Sequence, residues 1–250
     1  MSYFGLIIIA FFLIIILLVL STVTGEFPEP LPLSENRNKE MIEVLLLWTL
    51  NLVVVILFIF FIGPYFYSIF FNDIFPGIIF SSLTSLIIPL IYVITINKWK
   101  IKDFGLTNKV ESWPTALIGI ISYMFLGILT FFLYIQNRYS IIYLLILLYS
   151  NAFLEEFLYR SILQSKLERA IGQKNSIIYG GLLFGFIHLP TNIATFLVYP
   201  DIIWIMLVTS TQILHGWIYG IIYTKTRNLF PGIICHYFTN WLAEIITLFL

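Results

Sequence analysis

The segment Asn151–Leu167 reads NAFLEEFLYRSILQSKL, with two adjacent carboxylates and an arginine set into an apolar run. Whether this run crosses a membrane decides the fold. A spanning helix needs about 20 predominantly apolar residues, and the surrounding stretch, 141–164, meets that length. The same pattern recurs along the chain. Eight candidate spans can be read, at about 3–23, 41–63, 74–96, 115–135, 141–164, 176–189, 195–223 and 229–250. The sixth is short and the seventh long.

Composition agrees. Of the 250 residues 60% are hydrophobic and only 10% charged, with a mean hydropathy of +0.99, whereas soluble domains carry about 25% charged residues. The expected fold is therefore all-α: a polytopic membrane protein of about eight transmembrane helices, with residues 1–250 forming one integral membrane domain. A formal net charge of zero gives no reason to expect a nucleic-acid partner; the expected partners are membrane lipids and a substrate. Cys235 is the only cysteine, which excludes a disulfide framework and a cysteine-based zinc motif. The first span is read as a retained helix rather than a signal peptide, because MSYFGL has no basic n-region and no A-x-A site follows it.

Lys and Arg orient the bundle. The loops after helices 1, 3, 5 and 7 hold Arg37 and Lys39; Lys98, Lys100, Lys102 and Lys109; Lys166, Arg169 and Lys174; and Lys225 and Arg227. On the opposite side only Arg138 is found, and Arg160 is intramembrane. The asymmetry predicts those four loops in the cytoplasm and both termini outside. Two of the loops have distinctive compositions. The Pro- and Glu-rich 24–40 reads as an irregular or partly extended linker, and 97–114, which alternates basic and apolar residues, suits a membrane surface.

Ionisable side chains inside a bilayer are costly and mark function by default. The sequence places seven there: Glu155, Glu156, Arg160, His188, His215, His236 and Glu244, all in the last four helices. This concentration predicts a polar catalytic cavity in residues 141–245. On a helix Glu156 and Arg160 are i,i+4 and favour an ion pair. Glu155 is rotated by about 100° from Glu156, so the arginine neutralises it less well and it is left for chemistry; a buried carboxylate tuned by its neighbours is a common general base. Phe184 and His188 share a face just before Pro190, which is expected to end the helix. His236 and Asn240 lie about 6 Å apart along a helix axis, where a neutral His N–H and an Asn amide can form an oxyanion hole; interhelical hydrogen bonding is the other use of such a pair. Glu244 continues that stripe. His215 precedes the G-x-x-x-G of Gly216 and Gly220 and either packs or supports the site. Helical rise puts Glu155 about 16 Å, His236 about 14 Å and His188 about 21 Å from the nearest cytoplasmic cation, so the groups can meet in the cytoplasmic half of the bilayer.

Three motifs appear in order: E-E-x-x-x-R (Glu155, Glu156, Arg160), F-x-x-x-H (Phe184, His188) and H-x-x-x-N (His236, Asn240). With GWIYGIIYTKTRNLFPGIICHYFTN (216–240), they resemble the CPBP family of CAAX-protease and bacteriocin-processing intramembrane proteases, also called the Abi family. The resemblance covers about 141–245. It implies an eight-helix peptidase related to the Ras-converting, type II CAAX prenyl endopeptidase. By that resemblance Glu155 is the general base, helped by His188; His236 and Asn240 are oxyanion donors; Glu156, Arg160 and Phe184 give support. The implied substrate is a peptide or lipidated protein. Cofactors are expected to be none, with a zinc site of Glu155, His188 and His236 as the alternative. Neither G-x-S-x-G nor G-x-G-D occurs, which leaves out serine and aspartyl intramembrane chemistry, and H-E-x-x-H is also missing. A transporter, or a non-catalytic immunity or peptide-binding protein, would use buried Glu, His and Arg differently.

Overall fold

The computed structural model describes residues 3–64, 74–133, 140–198 and 201–247. Arg138, the one cation expected on the outer side, lies outside them, as do the ends of the predicted spans at 134–135 and 248–250. Every regular element among the described residues is helical. Besides a short 3-10 helix at Ile101–Phe104, they are α1 (Tyr3–Thr22), α2 (Arg37–Ile62), α3 (74–95), α4 (Trp113–Leu133), α5 (Ile141–Ile171), α6 (Gln173–Phe186), α7 (Leu189–Val198), α8 (Ile202–Thr226) and α9 (Leu229–Thr247). α6 and α7 make one bent span, so eight segments stand where eight were predicted. Seven are long and apolar enough to cross a membrane. The other is α9, whose 19 residues include His236, Thr239, Asn240 and Glu244.

Several boundaries differ from the sequence expectation. α5 runs on to Ile171, so Lys166 and Arg169 belong to the helix and not to a loop. α8 starts at Ile202 and ends at Thr226, which also takes Lys225 into the helix. The helix holding Phe184 ends at Phe186, His188 occupies the bend, and Pro190 opens α7 rather than closing a span. A proline in the first helical turn forfeits only an N–H that has no helical acceptor. Residues 25–34 are irregular, as expected, but the linker read as 24–40 ends earlier: Arg37 and Lys39 already belong to α2, which the Asn36 side chain caps by accepting from the Lys39 N–H at 3.0 Å.

Buried lysines explain why helices can extend past the expected ends. Lys166 is fully buried and donates to Glu40 at 2.8 Å and to Glu43, which also accepts from the Tyr92 hydroxyl at 2.8 Å. This knot ties α2, α3 and α5 together. It also adds Glu43, buried on α2, to ionisable groups that the sequence reading had confined to the last four helices. Lys225 donates to Leu20 O (2.9 Å), Gly25 O (2.6 Å) and Thr24 Oγ1 (3.0 Å) at the end of α1, satisfying carbonyls that a helix C-terminus leaves open. Arg227 forms a two-pronged pair with Glu168, both contacts 2.7 Å.

Close helix approach needs glycine. A Cβ on Gly216 of α8 would sit 2.7 Å from the Gly181 carbonyl oxygen and 2.8 Å from Gly181 Cα on α6, and neither backbone can step aside. Gly216→Val should therefore cost about 1–3 kcal/mol by overpacking. The check is the temperature at which detergent-purified protein loses its monodisperse form, which should fall. The outer surface carries large apolar side chains such as Phe4, Phe11, Leu46, Ile91 and Phe125, as hydrocarbon-facing helices require.

Candidate active site

The double-glutamate segment occupies an unusual part of α5. The chain is π-helical over Leu148–Phe153 and Phe157–Gln164, with one α-helical turn, Leu154–Glu156, between them. Such widened turns are rare and concentrate at functional sites. Here they bring Glu155 and Glu156 to the centre of the bundle with different surroundings: the Glu155 side chain is 27% exposed and Glu156 is fully buried.

Glu156 lies between Arg160 and His236. Its Oε2 accepts from Arg160 Nε at 3.2 Å, and its Oε1 lies 3.0 Å from His236 Nδ1. The pairing with Arg160 is the one the i,i+4 spacing predicts. The Arg160 guanidinium lies 4.8 Å above the Phe184 ring and 5.8 Å from that of Tyr219, so aromatic faces supplement the carboxylate. Phe184 also packs edge-on against His188 and His236, at centroid distances of 5.1 and 5.8 Å. The motif phenylalanine is thus the shared wall of all three groups.

Glu155 faces both histidines. Its Oε2 lies 3.8 Å from His188 Nε2 and 3.8 Å from His236 Nε2, too far for direct hydrogen bonds and near enough for one small molecule to touch all three. That oxygen has no hydrogen-bond partner among the described residues. His188 Nδ1 lies 2.8 Å from the Phe184 carbonyl. A carbonyl only accepts, so Nδ1 carries a proton, and in the neutral tautomer that this fixes Nε2 is the bare nitrogen turned toward Glu155. The bend at His188 makes this possible, because the ring bonds back to the last turn of its own helix.

Two cavities meet here. One, of about 270 Å³, is lined by Glu155, His188, His236 and Asn240 together with Asn151, Phe184, Gln212, His215, Tyr219 and Thr239. The other, of about 300 Å³, opens between α2, α3, α5 and the α6–α7 bend and shares Asn151, Glu155 and His188 with the first. All four residues singled out for chemistry by the sequence therefore line one cavity. Glu244 lines neither. His215 is a further lining residue: its Nδ1 is 3.0 Å from the Tyr123 hydroxyl, and its ring stacks on Tyr219, which in turn stacks on His236 at 5.0 Å. The Tyr219 hydroxyl bonds Thr239 Oγ1 at 3.0 Å. Tyr219 and Tyr123 did not stand out in the sequence, where 15 tyrosines and 24 phenylalanines give an aromatic no distinction.

As for a metal, Glu155, His188 and His236 supply suitable donor atoms, yet among the described residues no group of three or more His, Cys, Asp or Glu is placed to hold an ion.

Fold and cluster together define a polytopic, all-helical integral membrane protein whose ionisable groups converge on a cavity inside the bundle. Residues 137–242 match the family model of the Rce1-like type II CAAX prenyl endopeptidases. The match contains every residue of the three motifs. No curated protein and no solved structure matches the chain.

Proposed function

We propose that the protein is an intramembrane endopeptidase that hydrolyses a peptide bond near the cytoplasmic face, and that its substrates are prenylated CAAX proteins from which it removes the C-terminal tripeptide. The observation that carries this reading is the convergence of Glu155 Oε2 on His188 Nε2 and His236 Nε2, 3.8 Å from each, in a cavity that Asn240 also lines. The Rce1-like match supports the substrate class.

The chemistry follows from the hydrogen bonding. Water between Glu155 and His188 donates to two acceptors, which leaves an oxygen lone pair to attack the scissile carbonyl. One water proton passes to Glu155 as the C–O bond forms. The oxyanion is bound by the Asn240 amide and by His236 Nε2–H. Because Nδ1–H of His236 is directed at Glu156, a neutral ring would present a lone pair at Nε2. The donor role therefore belongs to the imidazolium, with Glu156 as its counter-ion, in place of the neutral N–H expected from sequence. Collapse of the intermediate breaks the C–N bond and Glu155 returns its proton to the leaving amine; the second water proton ionises from the new carboxyl group.

The loops after α1, α3, α5 and α8 face the cytoplasm in this reading, with both termini outside, and no cofactor takes part. Asn240→Ala should lower kcat by about 10²–10³ with little change in the thermal stability of the detergent-solubilised protein. Mass spectrometry of a farnesylated CAAX peptide incubated with purified protein tests the activity itself: release of the intact tripeptide supports it, and scission at another bond would move the protein to a different peptidase class.

A further inference from the structure

The 300 Å³ cavity is not used by the chemistry above, yet it opens directly onto Glu155 and His188. All the π-helical stretches among the described residues border it: Phe58–Ile62 through Phe58, Leu83–Ile87 through Thr84 and Ser85, Leu148–Phe153 through Ser150 and Asn151, and Phe157–Gln164 through Tyr159. Four such departures from α-helix around one space are not required by bundle packing, and widened turns are a mark of functional sites. Apart from Glu155 and His188, where it meets the catalytic cavity, the polar groups on its walls are neutral. The Asn51 side-chain amide donates to Thr84 Oγ1 at 3.2 Å and Ser85 Oγ at 2.8 Å. Tyr159 is 2% exposed, and its hydroxyl has no hydrogen-bond partner among the described residues. No Lys, Arg or Asp lines the space, whereas Val55, Phe58, Phe80 and Ile187 do.

We propose that this cavity is the subsite for an uncharged stretch of substrate peptide adjoining the scissile bond, with Asn51, Thr84, Ser85 and Tyr159 hydrogen-bonding its backbone and the apolar walls taking its side chains. The proposal rests on the peptidase reading. A chain must be extended to be cut, and an extended backbone at bilayer depth has no water to satisfy its N–H and C=O groups. The enzyme must supply those partners, and this cavity holds them next to Glu155. With no cation on its walls, it would leave a carboxylate unpaired, which excludes acidic side chains and a free C-terminus from this space.

The test uses Glu155→Gln protein, which should bind without cutting, and a fluorescent farnesylated CAAX peptide, while protein retaining Glu155 is assayed for cleavage in parallel. A benzophenone amino acid replacing Thr84 should cross-link the peptide, and the same group replacing the exposed Ile79 should not. Tyr159→Phe, which removes one oxygen and preserves shape, should weaken peptide binding about two- to tenfold. It stands as the measurement if the photoreactive variant fails to fold. An Asp placed beside the scissile bond should weaken binding further. Cleavage without an adduct at position 84, or unchanged affinity in Tyr159→Phe, would overturn the subsite and leave the peptidase intact. An adduct without cleavage would support the subsite and overturn the peptidase reading, and neither adduct nor cleavage overturns both.

Discussion

Glu155→Gln should reduce kcat by about 10³ or more while leaving the fold undisturbed. General bases contribute on the order of 10²–10⁴, and the carboxamide keeps the shape of the side chain but cannot take a proton from water. The structural cost should be small because Glu155 Oε2 has no hydrogen-bond partner among the described residues and the side chain is partly exposed to the cavity. Loss of turnover at unchanged thermal stability is thus the signature expected of a base. Equal losses of both would instead mark Glu155 as a structural ion. The measurement is kcat beside the thermal midpoint in the same detergent.

Glu156→Leu should behave in the opposite way and weaken the fold itself. It strips Arg160, fully buried, of the one carboxylate paired with it among the described residues, and breaking a buried pair from one side costs about 3–5 kcal/mol because the remaining charge is uncompensated. It also releases His236 Nδ1, so activity should fall with stability. Removing both charges separates the two effects. In Glu156→Leu with Arg160→Met no guanidinium is stranded, and replacing a whole buried pair by apolar groups is often neutral or stabilising. The double variant should therefore recover most of the lost stability and none of the activity. If activity returned with stability, Glu156 would be a packing element with no part in holding His236.

The helical bundle was readable from the chain because apolar length is a one-dimensional property: a run either reaches about 20 residues or does not. Glu155, His188, His236 and Asn240 were readable for a related reason, since ionisable and amide groups stand out against a hydrocarbon background. What stayed hidden depends on contacts between distant segments. Lys166 looked like a loop cation because nothing local announces that Glu40 and Glu43 wait 126 and 123 residues away. Pro190 looked like a stop because a proline closing one helix and a proline opening the next are the same letter. The tautomer of His188 depends on a bend that places its ring against the Phe184 carbonyl. In the first half of the chain, Asn51, Thr84 and Ser85 are common residue types whose meaning comes only from facing one cavity.

The most direct test of the central claim is cleavage of a fluorogenic farnesylated CAAX peptide by purified protein, measured for wild type with and without a metal chelator and for Glu155→Gln. Wild-type cleavage that the chelator spares and Glu155→Gln abolishes is the predicted result. Cleavage that survives in Glu155→Gln, or that the chelator removes, would contradict a glutamate-based, metal-free mechanism.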